Sequence, residues 1–287
     1  MTDSEEIRVM GIGAHPDDVD FLIGGLSIKL SELGHKVKFV SATNGNMGHH
    51  EMMPGPLMER RMKEANAAAK ALGAEFECLG IDDANVYVNK ENTDKVVKVI
   101  REFDPQLVIT HRPSDYHRDH RYTGQLVVDA SYILILPLYM PEFPPRTRDM
   151  PVIVFGHDRF TTPRPFRPDI ILDITSIFED KVSGLSKHES QIFEWIPWTF
   201  KMDEIVERAK GDKSAREELV KTFLDFRFAR IMDRYRALFK DLLPERKVTN
   251  CEMFEICEYG RQPTKTELKK FFPGAIFPSK KKLKSLI

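Results

Sequence analysis

A short polar segment near the start of the chain separates two apolar stretches. The apolar run at residues 7–12 is typical of a buried strand, and residues 22–26 have the pattern that begins a helix. The segment between them contains the ionisable side chains His15, Asp17, Asp18 and Asp20. In open α/β sheets, ligands bind where a strand ends and its helix begins. Because carboxylates this close repel one another unless a cation lies among them, the segment predicts an α/β fold with a metal site at the rim of its sheet.

A second cluster of metal-ligand residue types lies about a hundred residues further on. Residues 111–120 contain three histidines and two aspartates, and they follow a strand-like run at residues 107–110. The two clusters meet if both strands belong to one parallel sheet, since the carboxyl ends of parallel strands share one rim. A catalytic zinc ion has three protein ligands and leaves a position for water. His15, Asp18 and His120 are the ligands that this arrangement predicts.

Strand-like and helix-like patterns alternate from residue 7 to about residue 125. The predicted strands of this part lie at residues 7–12, 36–43, 76–79 and 107–110. The predicted helices lie at residues 25–33, 58–72 and 93–103. Alternation at this spacing favours a mostly parallel sheet with helices on its faces.

The second half of the chain has a different pattern. Eight prolines crowd residues 136–168 and predict a loop-rich segment with a short strand at residues 152–155. Such a segment either covers an active site or is a surface excursion, and both interpretations remain open. The remaining predictions are a strand at residues 169–174, a helix at 178–194, a charged helical region at 202–243 and a final edge strand at 252–256.

The composition argues against several classes of protein. A net charge of −1 over 287 residues does not indicate a broad nucleic-acid surface. The three cysteines have no Cys-x-x-Cys spacing, which suggests a reducing compartment and argues against a disulfide framework. The N-terminus has no signal-peptide pattern, and no apolar run is long enough to span a bilayer. The sequence therefore predicts a cytoplasmic protein with no membrane span.

The two clusters carry motifs of a known family. Ala-His-Pro-Asp-Asp at residues 14–18 resembles the signature of the PIG-L, or LmbE-like, zinc-dependent N-acetylglucosaminyl deacetylases. His-Arg-Asp-His at residues 117–120 resembles the family's second motif, His-Pro-Asp-His. Further matches follow in the family's order: Thr-Asn-Gly at 43–45, Arg-Met-Lys-Glu-Ala at 61–65, Asp-Ile-Thr at 173–175, Lys-His-Glu-Ser-Gln at 187–191 and Glu-Met-Phe-Glu at 252–255. The resemblance covers about residues 7–258, which predicts one domain over residues 1–287 with residues 259–287 as a C-terminal extension.

The resemblance implies roles for individual residues. The zinc ligands would be His15, Asp18 and His120. Asp17 would be the general base that activates the zinc-bound water, and His117 would polarise the amide carbonyl and stabilise the oxyanion. Arg61 would contact the substrate sugar. Two residues depart from the family's motifs, with Asp20 in place of a glutamate and Arg118 in place of a proline.

By resemblance, the chain is a metal-dependent hydrolase that removes an N-acetyl group from an N-acetylated amino sugar or sugar conjugate. The implied cofactor is Zn²⁺, although two imidazoles and a carboxylate also accept other divalent cations. The implied fold is a Rossmann-like α/β sheet, and members of the family often form trimers or hexamers. Two alternatives remain open, a metal-dependent amidase acting on a non-sugar conjugate and a non-catalytic binder of a sugar or nucleotide. The binder is disfavoured because no Gly-x-Gly-x-x-Gly opens a helix.

Two further histidines are assigned less directly. His111 begins the second cluster, and we interpret it as a structural hydrogen-bonding residue in preference to a catalytic one. His188 matches a position of the family near the core, and the sequence leaves open whether it supports the site or only packs.

Overall fold

A computed structural model describes residues 6–242, residues 248–279 and Leu283. The strands are β1 (Arg8–Gly13), β2 (Lys36–Thr43), β3 (Glu75–Ile81), β4 (Leu107–Thr110), β5 (Val152–Gly156), β6 (Ile170–Asp173) and β7 (Cys251–Gly260). They form one seven-stranded sheet in the order β3-β2-β1-β4-β5-β7-β6. Strands β1 to β5 are parallel, and β7 is antiparallel to both of its neighbours. The predicted Rossmann-like α/β fold with a mostly parallel sheet is confirmed.

Helices flank this sheet. They are α1 (Asp18–Glu32), α2 (Pro54–Ala71), α3 (Lys90–Phe103), α4 (Arg118–Ile133), α5 (Phe178–Leu185), α6 (Ile196–Thr199), α7 (Asp203–Ala209), α8 (Lys213–Leu242) and α9 (Lys265–Phe271). A π-helical turn, Ser190–Trp195, joins the region of α5 to α6, so the predicted helix at residues 178–194 is interrupted. Helix α4 has no counterpart among the predicted helices. Within the described ranges, every helix is too short or too polar to cross a membrane.

Two apolar layers separate the sheet from its helices. On one face, Leu26 of α1 lies in a buried cluster with Val9 of β1 and with Phe271 of α9. On the other face, Leu126 of α4 lies in a second buried cluster with Met10 of β1. Neighbouring residues of β1 thus face opposite layers, as the period of a strand requires. The predicted extension contributes Phe271 to the first layer, and the assignment of one domain stays a prediction.

The last strand differs from its prediction in position. Residues 252–256 were expected at the edge of the sheet, but β7 lies between β5 and β6, and the edges are β3 and β6. This strand contains two glutamates that are buried, since Glu252 and Glu255 are 0% and 1% exposed. Each has a cationic partner, Lys181 for Glu252 and Arg164 for Glu255. Because buried charges are tolerated when they are paired, a charged residue in this strand does not mark an exposed edge.

The proline-rich segment is anchored at its start by Arg101. This side chain belongs to α3 and is only 5% exposed. Its guanidinium donates to the carbonyl oxygens of Ile133, Leu134, Leu136, Tyr139 and Phe143. The turns that follow α4 therefore have hydrogen-bond partners without regular secondary structure. After β5, residues 156–160 return to the carboxyl ends of the strands, where the site lies.

Candidate functional site

The three predicted metal ligands converge at one point. Nδ1 of His15 lies 3.2 Å from Oδ2 of Asp18 and 3.2 Å from Nε2 of His120. Nε2 of His120 lies 3.3 Å from the same Asp18 oxygen. Ligands held tetrahedrally at about 2.0 Å from a zinc ion are about 3.3 Å apart, so the three atoms have the spacing of three corners of such a site.

Local structure explains how these residues meet. Strands β1 and β4 are neighbours, and α1 and α4 begin shortly after each strand ends. The loop after β1 folds around Asp18, whose Oδ2 accepts the backbone N–H groups of Ala14 (3.1 Å) and His15 (2.8 Å). His120 lies in the first turn of α4, and His117 caps that helix. The rule that strand ends of a parallel sheet meet at one rim therefore places both motifs together.

Each of the two predicted ligand histidines has a carboxylate next to its other ring nitrogen. Nε2 of His15 lies 3.1 Å from Oδ1 of Asp83, and Nδ1 of His120 lies 3.2 Å from Oδ2 of Asp115. In metal sites, such carboxylates fix the orientation and tautomer of the imidazole. The sequence analysis did not assign a role to Asp83 or Asp115. Asp83 follows β3 closely, so the strand-end rule that pointed to His15 also applied to it.

The charges of this cluster favour a bound cation. Burial lowers the pKa of His15, but Asp18 and Asp83 outweigh it and raise the pKa to about 10. Burial raises the pKa of Asp18, but His120, His111 and His15 outweigh it and hold the pKa well below its usual value. The pKa of His120 falls to about 4, mainly because of burial. Two imidazoles and a carboxylate suit zinc, and the acidic surroundings suit its charge.

The predicted ligands His15, Asp18 and His120 form a triangle, which we call the ligand triangle. His111 lies next to it. Its ring stacks on His120 with centroids 4.2 Å apart, and its Nε2 lies 3.2 Å from Oδ2 of Asp18. The same nitrogen is within 3.2 Å of the Ala14 amide. His111 therefore contacts two of the three predicted ligands, which ties the end of β4 to the loop after β1.

Asp17, the predicted base, is held by Arg61. Nη2 of Arg61 donates to Oδ1 of Asp17 at 2.9 Å, and Nη1 donates to the carbonyl of Gly45 at 3.0 Å. Gly45 has a φ of +66°, and a Cβ there would lie 2.3 Å from Nη1 of Arg61. Arg61 is 2% exposed. Its predicted contact with a sugar stays a prediction, since in this structure the guanidinium faces Asp17 and Gly45.

His117 lies next to the predicted ligands and has a defined tautomer. Its ring centroid is 4.7 Å from that of His15 and 5.0 Å from that of His120. Nδ1 of His117 accepts the backbone N–H of Asp119 at 3.2 Å, so the hydrogen of a neutral ring is on Nε2. Burial, and then His15, lowers the pKa of His117, which favours the neutral ring. The arrangement leaves Nε2–H as a donor.

A buried acid–base pair lies beneath Asp17. Oδ1 of Asp20 and Nε2 of His188 are 3.4 Å apart, and both side chains are 1% exposed. Burial lowers the pKa of His188, but Asp20 and Asp17 outweigh it and raise the pKa. Burial outweighs the effect of His188 and raises the pKa of Asp20, the residue that replaces the longer glutamate of the family's motif. His188 belongs to the electrostatic surroundings of the site.

A cavity of about 230 Å³ opens beside the ligand triangle. His111 and His120 form part of its wall. Six apolar side chains from four separate segments line much of the rest, namely Phe21, Leu22, Phe160, Ile196, Phe200 and Phe223. The sequence analysis did not identify this cavity, because its lining comes from segments up to about 200 residues apart.

The fold and the site define an α/β protein with a cluster of metal-binding residue types at the carboxyl ends of parallel strands. Residues 10–131 match the family described as "PIG-L: GlcNAc-PI de-N-acetylase". The matched part contains both motifs, so the predicted resemblance to the PIG-L family is confirmed over residues 10–131.

Individual relatives are similar over a larger share of the chain. Diacetylchitobiose deacetylase of Thermococcus kodakarensis is 28% identical over 204 residues, which cover 67% of this chain and 73% of the relative. 4-Oxalmesaconate hydratase of Pseudomonas putida is 26% identical over 196 residues, which cover 66% of this chain and 75% of the relative. The structure of N,N'-diacetylchitobiose deacetylase from Pyrococcus horikoshii has a TM-score of 0.65 at 23% identity. The superposition covers 88% of this chain and 84% of the deacetylase chain. At that identity the structural likeness shows a shared fold.

Proposed function

We propose that the chain is a metal-dependent hydrolase that removes an N-acetyl group from an N-acetylated amino sugar or sugar conjugate. The observation that carries this proposal is the triangle of His15, Asp18 and His120, whose ligand atoms lie 3.2 to 3.3 Å apart. Its position next to Asp17 supports a hydrolytic reaction. The diacetylchitobiose deacetylase relative supports the class of substrate.

A zinc ion bound by His15, Asp18 and His120 would supply Lewis acidity for water activation and carbonyl polarisation. Asp17 takes a proton from the attacking water and later delivers it to the leaving amine. Arg61 holds the Asp17 carboxylate in one orientation through its 2.9 Å hydrogen bond. Asp83 and Asp115 hold the rings of the two ligand histidines.

His117 stabilises the charge that develops on the carbonyl oxygen. Its Nδ1 is occupied by the Asp119 amide, so Nε2–H is the donor that remains. A neutral imidazole can perform this role, which agrees with the lowered pKa of His117. Donors of this kind typically contribute about 10²- to 10³-fold to the rate.

Hydration of a carbon–carbon double bond is a second candidate, because one relative is described as a hydratase. Both reactions begin with an activated water, so the ligand triangle and Asp17 serve either. They differ in the product, since only hydrolysis of an amide releases acetate and an amine.

The expected cytoplasmic location and the expected trimer or hexamer stay predictions.

The decisive experiment measures acetate release from N-acetylglucosamine and diacetylchitobiose, with chelator and with added zinc. We expect release that depends on zinc and is lost in Asp17→Asn, which retains the metal. Asp129→Asn, at an exposed position of α4, is the matched control and should have wild-type activity. Full zinc occupancy without acetate release from any N-acetylated sugar would overturn the proposal.

A further inference from the structure

The cavity beside the ligand triangle lies on one side of it. His111 and His120 form part of the cavity wall, whereas Asp17, Arg61 and Asp83 lie outside the lining. In the proposed reaction Asp17 delivers a proton to the leaving amine, so the amine side of the amide faces Asp17. The acyl side then faces the cavity.

The lining includes four aspartate and arginine side chains, and three of them form the following hydrogen bonds. The Arg112 guanidinium donates to both oxygens of Asp158, at 2.5 and 2.6 Å, and to the carbonyls of Phe160 and Arg164. Asp115 accepts the His117 amide at 2.8 Å and lies 3.2 Å from Nδ1 of His120. A sugar hydroxyl placed among these groups would compete with existing bonds, and unsatisfied polar groups are costly to bury. An apolar group has no such cost.

The size of the cavity points in the same direction. A cavity needs a volume of roughly 15 Å³ to hold one water molecule. The cavity of about 230 Å³ is therefore much larger than the methyl of an acetyl group requires. Four phenylalanine rings, Phe21, Phe160, Phe200 and Phe223, give it an apolar wall that acetyl leaves largely uncovered.

We propose that this cavity is an acyl site and that the preferred substrates carry an aliphatic or aromatic acyl group larger than acetyl. The inference rests on the proposed function, because it assumes hydrolysis of an amide. In that reaction the amide C–N bond breaks and the water oxygen bonds to the acyl carbon. The proton taken by Asp17 ends on the amine, and the products are the carboxylate and the free amine.

The test is a series of N-acyl glucosamines with acetyl, butanoyl, hexanoyl and benzoyl groups, with the zinc-loaded enzyme and the released glucosamine as the readout. Each buried methylene should raise kcat/KM about fourfold, so butanoyl should exceed acetyl about 15-fold. Phe200 is 51% exposed, so Phe200→Ala should fold. It should lower the ratio of butanoyl to acetyl turnover by at least about threefold. Leu138→Ala, which is 92% exposed and outside the lining, should keep the wild-type ratio.

Equal kcat/KM across the acyl series, with zinc-dependent acetate release intact, overturns the acyl site and leaves the proposed function standing. A flat acyl series combined with a preference for the butyl over the methyl glycoside of N-acetylglucosamine also overturns it, because the cavity then holds the aglycone. Calorimetric binding to chelator-treated protein separates the remaining cases. If no amide is cleaved but N-butanoylglucosamine binds about tenfold more tightly than N-acetylglucosamine, the cavity binds acyl groups, but the proposed function and the preference among substrates both fail. If no amide is cleaved and the two sugars bind equally tightly, both the acyl site and the proposed function are overturned.

Discussion

The ammonium group of Lys181 lies 2.6 Å from the carboxylate of Glu252, and both side chains are 0% exposed. Both side chains of this pair form hydrogen bonds with the backbone of α1. Glu252 accepts the amides of Gly25 (2.7 Å) and Leu26 (2.8 Å), and Lys181 donates to the carbonyl of Phe21 at 2.7 Å. Because α1 begins at Asp18, an ion pair between α5 and β7 fixes the helix that carries a predicted metal ligand.

Loss of the Lys181 charge should destabilise the fold strongly. Lys181→Met leaves the Glu252 carboxylate buried without a cation, which typically costs about 3–5 kcal/mol in the free energy of unfolding. The double variant Lys181→Met with Glu252→Gln removes both charges and should recover part of that loss. Urea unfolding measures both values, and the exposed Lys187→Met is the control. The single variants Lys181→Met and Glu252→Gln each lose some free energy of unfolding. A double variant that loses more than these two losses together would contradict this interpretation.

Asp83 should control metal affinity without being a ligand. Its carboxylate lies 3.1 Å from Nε2 of His15, the nitrogen that faces away from the triangle. Asp83→Asn keeps the size but weakens the hydrogen bond to the imidazole, so we expect zinc affinity to fall about 10- to 100-fold. Competition with a chromophoric chelator measures this, and one zinc per chain should still bind at saturation. An unchanged affinity would show that Asp83 does not orient His15.

Much of the fold, and the convergence of His15, Asp18 and His120, could be predicted from the sequence because both depend on local patterns. Strands β2 and β4 have their predicted bounds, Lys36–Thr43 and Leu107–Thr110. Apolar periodicity reports which residues enter the core, and the strand-end rule then brings His15 and His120 to one rim without knowledge of other contacts.

The parts that sequence did not predict depend on distant side chains. Helix α1 begins at Asp18, before both the helix start predicted at residues 22–26 and the helix predicted at residues 25–33. At Gly25 a Cβ would lie 2.6 Å from Ile174 and 3.0 Å from Glu252, so tertiary packing explains that glycine. The position of β7 inside the sheet likewise depends on distant residues, because Lys181 and Arg164 neutralise its two buried glutamates. The contact of Arg61 with Asp17 joins residues 44 positions apart, which no local pattern reports.

His117→Ala should separate catalysis from metal binding. Its Nε2–H is the predicted oxyanion donor, so kcat should fall about 10²- to 10³-fold. Since His117 is not one of the predicted ligands, zinc content measured by atomic absorption should stay at the wild-type level. Loss of the zinc together with the activity would instead place His117 among the ligands. The two ring centroids of His117 and His15 are 4.7 Å apart.

Glu194 links the loop after β2 to α2. Both of its oxygens accept from the Arg60 guanidinium, at 2.5 and 2.8 Å, and His49 lies 2.8 Å from one of them. Burial raises the pKa of Glu194, but the hydrogen bonds from Arg60 and His49 outweigh it, and the net pKa is lowered. A carboxylate with a lowered pKa in the folded state stabilises the fold above its unfolded pKa of about 4.3.

That contribution should disappear in acid. As the pH falls below about 4.3 towards the lowered pKa of the folded state, the wild-type protein loses the contribution of Glu194, whereas Glu194→Gln has no carboxylate to protonate at this position. The difference in unfolding free energy between wild type and Glu194→Gln should therefore be constant above about pH 5 and shrink below it. Urea unfolding from pH 3 to 7 measures this difference, with Glu59→Gln, an exposed change on α2, as the control. A difference that grows as the pH falls would show that the ionised form of Glu194 does not stabilise the fold.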